Sequence, residues 1–342
     1  MLFVPTVRAA SRAALSLAAT LMLLPVAALA QTPSAAPQFL PLPEGAKPVP
    51  EPEVGYRVQR AGDSGYVVIS GFVQATFVVT AKGVVVIDAP TALAEKLPAA
   101  IRSVTDKPVT HVVLTHDHFD HIGAVGAFKG AKLIAHRSTA ELLKIYPDPK
   151  RPTPDILITT DRQSLNLGGV RFDFIYPGAN HEHGNMLVFV PKNRLAVMTD
   201  LVMPGWVPYR AWGNADHIPG ILKAHDAILA LDFDTYVGGH LYRTGTRQDV
   251  ADSRSYWLDL WNWTAEEMGR TPYDTSVAEP GNAWAVQKVW FDRVADKVTA
   301  RLIEKWGKRL GGADTFTHDT VIAAIVSAAT DTPNFPKSVL ID

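Results

Sequence analysis

Six consecutive residues constrain this chain more than any others: His116-Asp117-His118-Phe119-Asp120-His121. Imidazole and carboxylate are the ligands that zinc, iron and manganese take in proteins. The hexapeptide follows an apolar, β-branched run, His111-Val112-Val113-Leu114-Thr115, that reads as a strand. It opens a small-residue segment, Ile122 to Lys129, that reads as a helix. Alternation along an extended segment places His116, His118 and Asp120 on one side and sends His121 elsewhere, which suits a second metal beside the first.

The chain in which this motif sits is long enough, at 342 residues, for one large domain plus an appendage. It has no cysteine, which excludes disulfides, thiolate zinc sites and iron–sulfur clusters. The net charge of −1 gives no sign of a nucleic-acid partner. Residues 1–30 combine Arg8 and Arg12, an apolar stretch from Ala13 to Ala30, and the closing Ala28-Leu29-Ala30. That order is expected of a secretory signal peptide cleaved after Ala30, so the mature protein should be periplasmic or secreted and free of the membrane. Residues 31–54 carry seven prolines and read as an extended linker or surface arm.

From residue 55 to 250, strand-like and helical patterns alternate. Strands are expected at 66–69, 75–80, 84–87, 111–115, 132–135, 170–176, 186–190, 195–198 and 235–237, helices at 92–104, 139–145 and 216–231, and a loop with a short apolar run, Ile156 to Ile158, over Pro152 to Arg162. This alternation predicts an α/β layered sandwich with the site along one edge of its sheets. Residues 251–342 change to helices only: Ser253 to Met268, Asn282 to Leu310 and Thr320 to Ala329, a C-terminal helical extension that would pack on the catalytic core or on a second copy, as a homodimer.

A binuclear site needs more ligands than the hexapeptide supplies. Asp88, His181, Asp200 and His240 each sit just past a strand-like run, beside small residues that permit close approach. The ordered series Asp88, His116-x-His118-x-Asp120-His121, His181, Asp200, His240 resembles that of the metallo-β-lactamase-fold hydrolases, over roughly residues 60–245. The resemblance implies a four-layer αββα sandwich with two divalent metal ions, zinc foremost with manganese or iron as alternatives. His116, His118 and His181 would hold one metal, Asp120, His121 and His240 the other, and Asp200 would bridge them, while Asp88 orients ligands without binding metal. The third motif departs from the common form and reads Gly178-Ala179-Asn180-His181-Glu182-His183-Gly184-Asn185. The spacing to Gly184 and Asn185 prefers His181 as ligand and leaves His183 as a supporting residue near the site.

Two such cations would lower the pKa of a shared water toward neutrality and so provide the attacking hydroxide. Asp120 is the catalytic candidate, placed to accept that water's proton or orient it. Past Asp200, the aromatic run containing Trp206, Tyr209 and Trp212 would roof the pocket, joined by Tyr242 after His240. The expected activity is hydrolysis of a small ester, lactone, thioester or related substrate. A β-lactamase is the alternative within the class, although relatives that open β-lactams usually carry cysteine or serine where Asp200 stands. An iron-dependent redox enzyme on the same fold is the second alternative. His111, His136, His217, His225 and His318 are expected to be structural or exposed.

Overall fold

Val84-Val85-Val86-Ile87 shows how this sequence builds layers. Alternate side chains along a strand point to opposite faces. Here Val85 and Ile87 enter one core while Val84 and Val86 enter another. A strand buried on both faces must lie inside a layered fold, and the computed structural model, which describes residues 39–331, has that form. The segment read as a signal peptide, the first part of the proline-rich arm and residues 332–342 lie outside the described residues.

Seven strands form the first sheet in the order β1-β2-β3-β4-β5-β6-β7. They are β1 (Arg57–Ala61), β2 (Gly65–Ser70), β3 (Val73–Val79), β4 (Val84–Ile87), β5 (Val109–Leu114), β6 (Lys132–His136) and β7 (Ile156–Ile158). Neighbours up to β4 pair antiparallel, and those from β4 onward pair parallel. The second sheet runs β12-β11-β10-β9-β8, from β8 (Arg162–Leu167), β9 (Val170–Ile175), β10 (Leu187–Val190), β11 (Leu195–Val197) and β12 (Thr235–Val237). Between the sheets lies an aliphatic and phenylalanine core that includes Ile69, Val113, Phe172, Phe174, Val188 and Val197.

Helices cover both outer faces. Against the first sheet pack α1 (Lys96–Val104), α2 (Phe119–Ile122) and α3 (Arg137–Ile145), through residues such as Leu97, Ile101, Ile122 and Leu143. Against the second pack α5 (Ile218–Leu229), α6 (Arg247–Arg270), α7 (Ala283–Trp306) and α8 (Thr317–Thr330). The expected αββα sandwich with C-terminal helices is therefore present. Trp257, Trp261, Val294, Leu302 and Ile325 share one continuous core with Leu187, Ala196 and Tyr236 of the second sheet. The last three helices thus form an outer layer of the sandwich itself. No helix among the described residues is long and apolar enough to cross a membrane.

Three local differences from the sequence reading have physical causes. The helix expected over Ile122 to Lys129 stops at Ile122 and gives way to a 3-10 turn at Val125–Ala127, because Gly123, Gly126 and Gly130 weaken it. β1, β7 and β8 were not expected: all three are sheet edges, β1 and β8 largely polar and only half buried, and β7 just three residues long within a stretch read as a loop. The boundary expected at 250/251 falls inside α6, whose start is fixed at Thr246. The Thr246 hydroxyl accepts the Asp249 N–H, and the Asp249 carboxylate accepts the Thr246 N–H, a reciprocal cap worth about 1 kcal/mol.

His225 of α5 is fully buried in the helical layer, and burial pushes its pKa down to about 4. Its Nδ1–H donates to the Ile221 carbonyl and its Nε2 accepts from the Ser253 hydroxyl, so the neutral form is the one accommodated. An unfolded histidine titrates near 6.5. Between these values the unfolded chain binds the extra proton, so stability is complete above pH 6.5 and declines as pH falls toward 4. His225→Gln is expected to lose less stability over that interval than the parent, by on the order of 3 kcal/mol at pH 4. Denaturant unfolding of both proteins at pH 7, 5.5 and 4.5 measures the difference; parallel loss in both would refute it.

Candidate metal centre

Asp88 sets the arrangement. It ends β4 in a left-handed conformation, with φ of 60°, and is nearly fully buried. Its carboxylate accepts the Thr115 N–H at 2.9 Å, the Thr115 hydroxyl at 2.7 Å and the Thr199 hydroxyl at 2.8 Å. Thr115 precedes His116 and Thr199 precedes Asp200. One buried carboxylate therefore pins the ends of β5 and β11 together and faces His116 and Asp200 toward each other.

His181 is aimed by a second small network. The Asn180 side-chain oxygen accepts the His181 N–H at 2.8 Å and an Asn185 amide N–H at 3.1 Å, while the Asn185 amide also donates to the Thr199 carbonyl at 3.0 Å. His240 follows β12 and Gly238-Gly239. A Cβ at Gly239 would lie 2.5 Å from Thr199 and 3.3 Å from His121, so only glycine lets this backbone approach.

The seven residues expected as ligands converge in two groups: His116, His118, His181 and Asp200, and Asp120, His121 and His240. Within each group the ligand atoms lie within 4.8 Å of one another. Asp200 Oδ2 lies 3.5 Å from His116 Nε2, 3.2 Å from His181 Nε2 and 3.1 Å from His121 Nε2, while Oδ1 lies 3.1 Å from His240 Nε2. Asp200 thus faces both groups. Asp120 Oδ2 is 3.3 Å from His121 Nε2. Alternation had put Asp120 beside His116 and His118. It sits with His121 instead because Phe119–Ile122 is a helical turn and no longer extended.

The donor set fits divalent cations. Ligand nitrogens about 2.0–2.1 Å from a tetrahedral metal stand about 3.3 Å apart. Here His181 Nε2 and His118 Nδ1 are 3.1 Å apart, and His121 Nε2 and His240 Nε2 are 3.0 Å apart. His116 Nε2 is buried without a hydrogen-bond partner. Burial lowers the pKa values of His116 and His118, which favours the neutral, ligating imidazole. The hydrogen bond from His121 brings Asp120 down to about 2. Burial alone would raise the Asp200 pKa and lower that of His121; their mutual attraction outweighs it, and Asp200 stays ionised while His121 is pulled upward. A proton on His121 thus does for Asp120 and Asp200 what a cation would do more strongly.

A cavity of about 560 Å³ opens beside the cluster and reaches His118, Asp120, His181, Asp200 and His240. Trp206 and Tyr209 line it as expected. Trp212 does not: it is fully buried in the helical core. The cause is local. In α4 (Arg210–Asn214), Ala211, Trp212, Gly213 and Asn214 all have positive φ, a left-handed turn that directs the indole inward and leaves Gly213 and Asn214 on the cavity. Tyr242 is half-buried, with its ring centroid 6.4 Å from that of Trp206, and is not part of the cavity wall. His183, expected near the site, is exposed and pairs with Asp216 at 2.8 Å. Met203, Leu241, Phe72 and Phe316 complete much of the apolar wall and were not anticipated. Phe72 at a hairpin tip carried a weak sequence signal; Phe316, after α7, carried none. Among the other histidines, His136 and His217 cap helices α3 and α5.

The model of the Metallo-beta-lactamase superfamily matches residues 69–240. The alpha subunit of 2,4-dinitroanisole O-demethylase from Nocardioides sp. (strain JS1661) is 32% identical over 165 residues, 46% of this chain and 47% of the relative. A "Metallo-beta-lactamase type 2" from Bacillus sp. (strain 170) is 32% identical over 120 residues, 34% of this chain and 45% of the relative. The chain spans about half the length of the curated relatives it matches. Among solved structures, the sec-alkyl sulfatase PisA1, as a double mutant, superposes with a TM-score of 0.58 over 84% of this chain and 52% of its own, at 15% identity. A metallo-beta-lactamase from Pontibacter korlensis gives 0.51 over 59% of this chain and 98% of its own, at 21% identity. A family match over half the sequence, opening in β2 and closing on His240, takes in every residue of both imidazole–carboxylate groups, and the chain belongs to the metallo-beta-lactamase superfamily.

Proposed function

We propose that this protein is a binuclear metal-dependent hydrolase of small uncharged esters, lactones or thioesters. The observation that carries the reading is Asp200, one carboxylate within 3.5 Å of four imidazole nitrogens from two groups. His116, His118 and His181 would hold one divalent cation, Asp120, His121 and His240 the other, with Asp200 shared. When bound, such cations supply an ionised water near neutral pH and Lewis acidity toward a carbonyl oxygen. Asp120 does the work this chain can do itself. Its carboxylate is ionised, lies on the cavity and can take the proton released as water attacks. Asp88 holds the ends of β5 and β11 in register.

Away from the cluster, the cavity supports an uncharged group, since no lysine or arginine lines it. Arg243, which follows Tyr242, is paired with Asp249 at 2.6 Å. The relative named for O-demethylation of 2,4-dinitroanisole, a small neutral aryl compound, speaks for a small neutral substrate here. The relative named as a β-lactamase favours a β-lactam instead; Asp200 in place of the usual cysteine or serine argues against it. We extend the reading to export, on the composition of residues 1–30, and expect the mature chain isolated from its producing cell to begin at Gln31. Sequencing that N-terminus checks it, and an intact Met1 would refute it.

A panel of chromogenic esters, lactones, phosphodiesters and β-lactams tests the reaction. Neutral esters or lactones are expected to be turned over, with activity lost on chelation and restored by zinc or manganese. Nitrocefin is expected to give kcat/KM below roughly 10² M⁻¹s⁻¹. Asp200→Ala is expected to cost at least about a thousandfold in kcat, as removal of a site's main electrostatic element does. Hydrolysis that survives chelation would overturn the reading.

Asp88→Ala should act through the ligands it orients. Metal affinity is expected to fall by about 10- to 100-fold, measured by competition with a chromophoric chelator. Unchanged affinity would remove Asp88 from the account.

A further inference from the structure

The cavity's far wall comes from a part of the chain outside the superfamily match. Gly311 and Gly312, in the turn between α7 and α8, lie against the Trp206 indole. A Cβ at Gly311 would stand 3.0 Å from the ring and one at Gly312 3.2 Å, and Gly312 has a φ of +72° that favours glycine. Backbone bonds fix the turn to the Trp206 segment on both sides, Gly311 N–H to the Gly205 carbonyl at 2.9 Å and Val207 N–H to the Gly311 carbonyl at 3.0 Å. The Trp206 indole Nε1–H donates to the Ala46 carbonyl at 3.1 Å, so the proline-rich arm holds the indole from another side. Beyond this seat, Phe316 packs edge-to-face on Tyr209, with ring centroids 4.8 Å apart, and both rings line the cavity.

From this arrangement we infer that the Gly311–Phe316 turn is the specificity wall of the site, and that it selects substrates bearing a flat, uncharged aromatic ring beside the scissile bond. The inference rests on the hydrolase reading for the reaction and on geometry for the wall. Trp206, held by backbone contacts, and the packed Tyr209–Phe316 pair offer aromatic faces and edges, and aromatic pairs gain over equal apolar area through ring electrostatics. Arg210, the nearest cation in sequence to Tyr209, is paired with Asp319 at 2.7 Å, while Asp120 and Asp200 bring negative charge to the cavity. Away from the metal cluster, an anionic group on the substrate would meet no fixed counter-charge on this wall. A cavity of about 560 Å³ suits a small molecule.

The test compares methyl phenylacetate with methyl cyclohexylacetate, which share a leaving group and a carbon skeleton and differ in flatness and π character. The parent protein is expected to favour the phenyl ester by about three- to tenfold in kcat/KM. Phe316→Ala is expected to weaken both esters through lost apolar contact and the phenyl ester by about that factor more, so that the preference falls toward unity. Phe316→Leu, which keeps most of the bulk, should abolish the same preference and carries the test if the alanine variant does not fold. Binding of benzyl alcohol against cyclohexylmethanol, followed by NMR titration, reads the wall without any reaction. Phe316-dependent preference for benzyl alcohol, with neither ester and no member of the chromogenic panel hydrolysed, would sustain the wall and sink the hydrolase reading. Equal handling of both partners by the parent, or equal loss for both in the variants, would overturn the wall.

Discussion

The Asp200 carboxylate is the interaction on which the site depends. It is almost completely buried and meets imidazoles contributed by the ends of β5 and β12 and by the loop after β9. A buried carboxylate is costly unless paired, so these elements must either bring positive charge to it or not assemble. The fold meets that demand by stacking two sheets with strand ends aligned at one edge and by using Asp88 to join the two ends nearest Asp200. Stability of the edge and competence for metal are one requirement in this molecule.

Backbone strain gathers at the same edge. Among the described residues, the non-glycine positions with positive φ are Asp88, Arg194, Asp200, Ala211, Trp212, Asn214 and Leu241. Asp88 and Asp200 belong to the site, Asn214 and Leu241 line the cavity, and Ala211 and Trp212 share the turn that carries Asn214. Left-handed backbone costs an ordinary residue roughly 1–2 kcal/mol, and such residues persist where the surroundings over-determine them. Burial of Trp212 in the helical core supplies that determination for the Ala211–Asn214 turn. The outer helical layer therefore does more than cover a sheet: it fixes a strained turn that forms part of the cavity wall and contributes Phe316 to that wall.

Legibility in the sequence followed chemistry and burial. The seven imidazole and carboxylate residues stood out because four are crowded into one hexapeptide after an apolar strand and the other three each follow a strand-like run. Central strands such as β4, β5 and β10 were visible because burial on both faces leaves continuous apolar runs. β1 and β8 were hidden because an edge strand is free to be polar. Trp212 was misplaced because an aromatic residue beside a ligand has no local mark that separates cavity from core; a left-handed turn decided it, and Ala-Trp-Gly-Asn encodes that turn only through what surrounds it. Phe316 could not have been found, since it reaches the cavity from over a hundred residues past Asp200 through the packing of α7 and α8.

The central claim is that Asp200 is shared between two cations. Metal analysis of the purified protein, joined to X-ray absorption or anomalous scattering, measures this directly. The account predicts two divalent ions per chain about 3.5–4 Å apart, with Asp200→Ala retaining at most one. A single tightly held ion in the parent, or two ions undisturbed by the loss of Asp200, would contradict it.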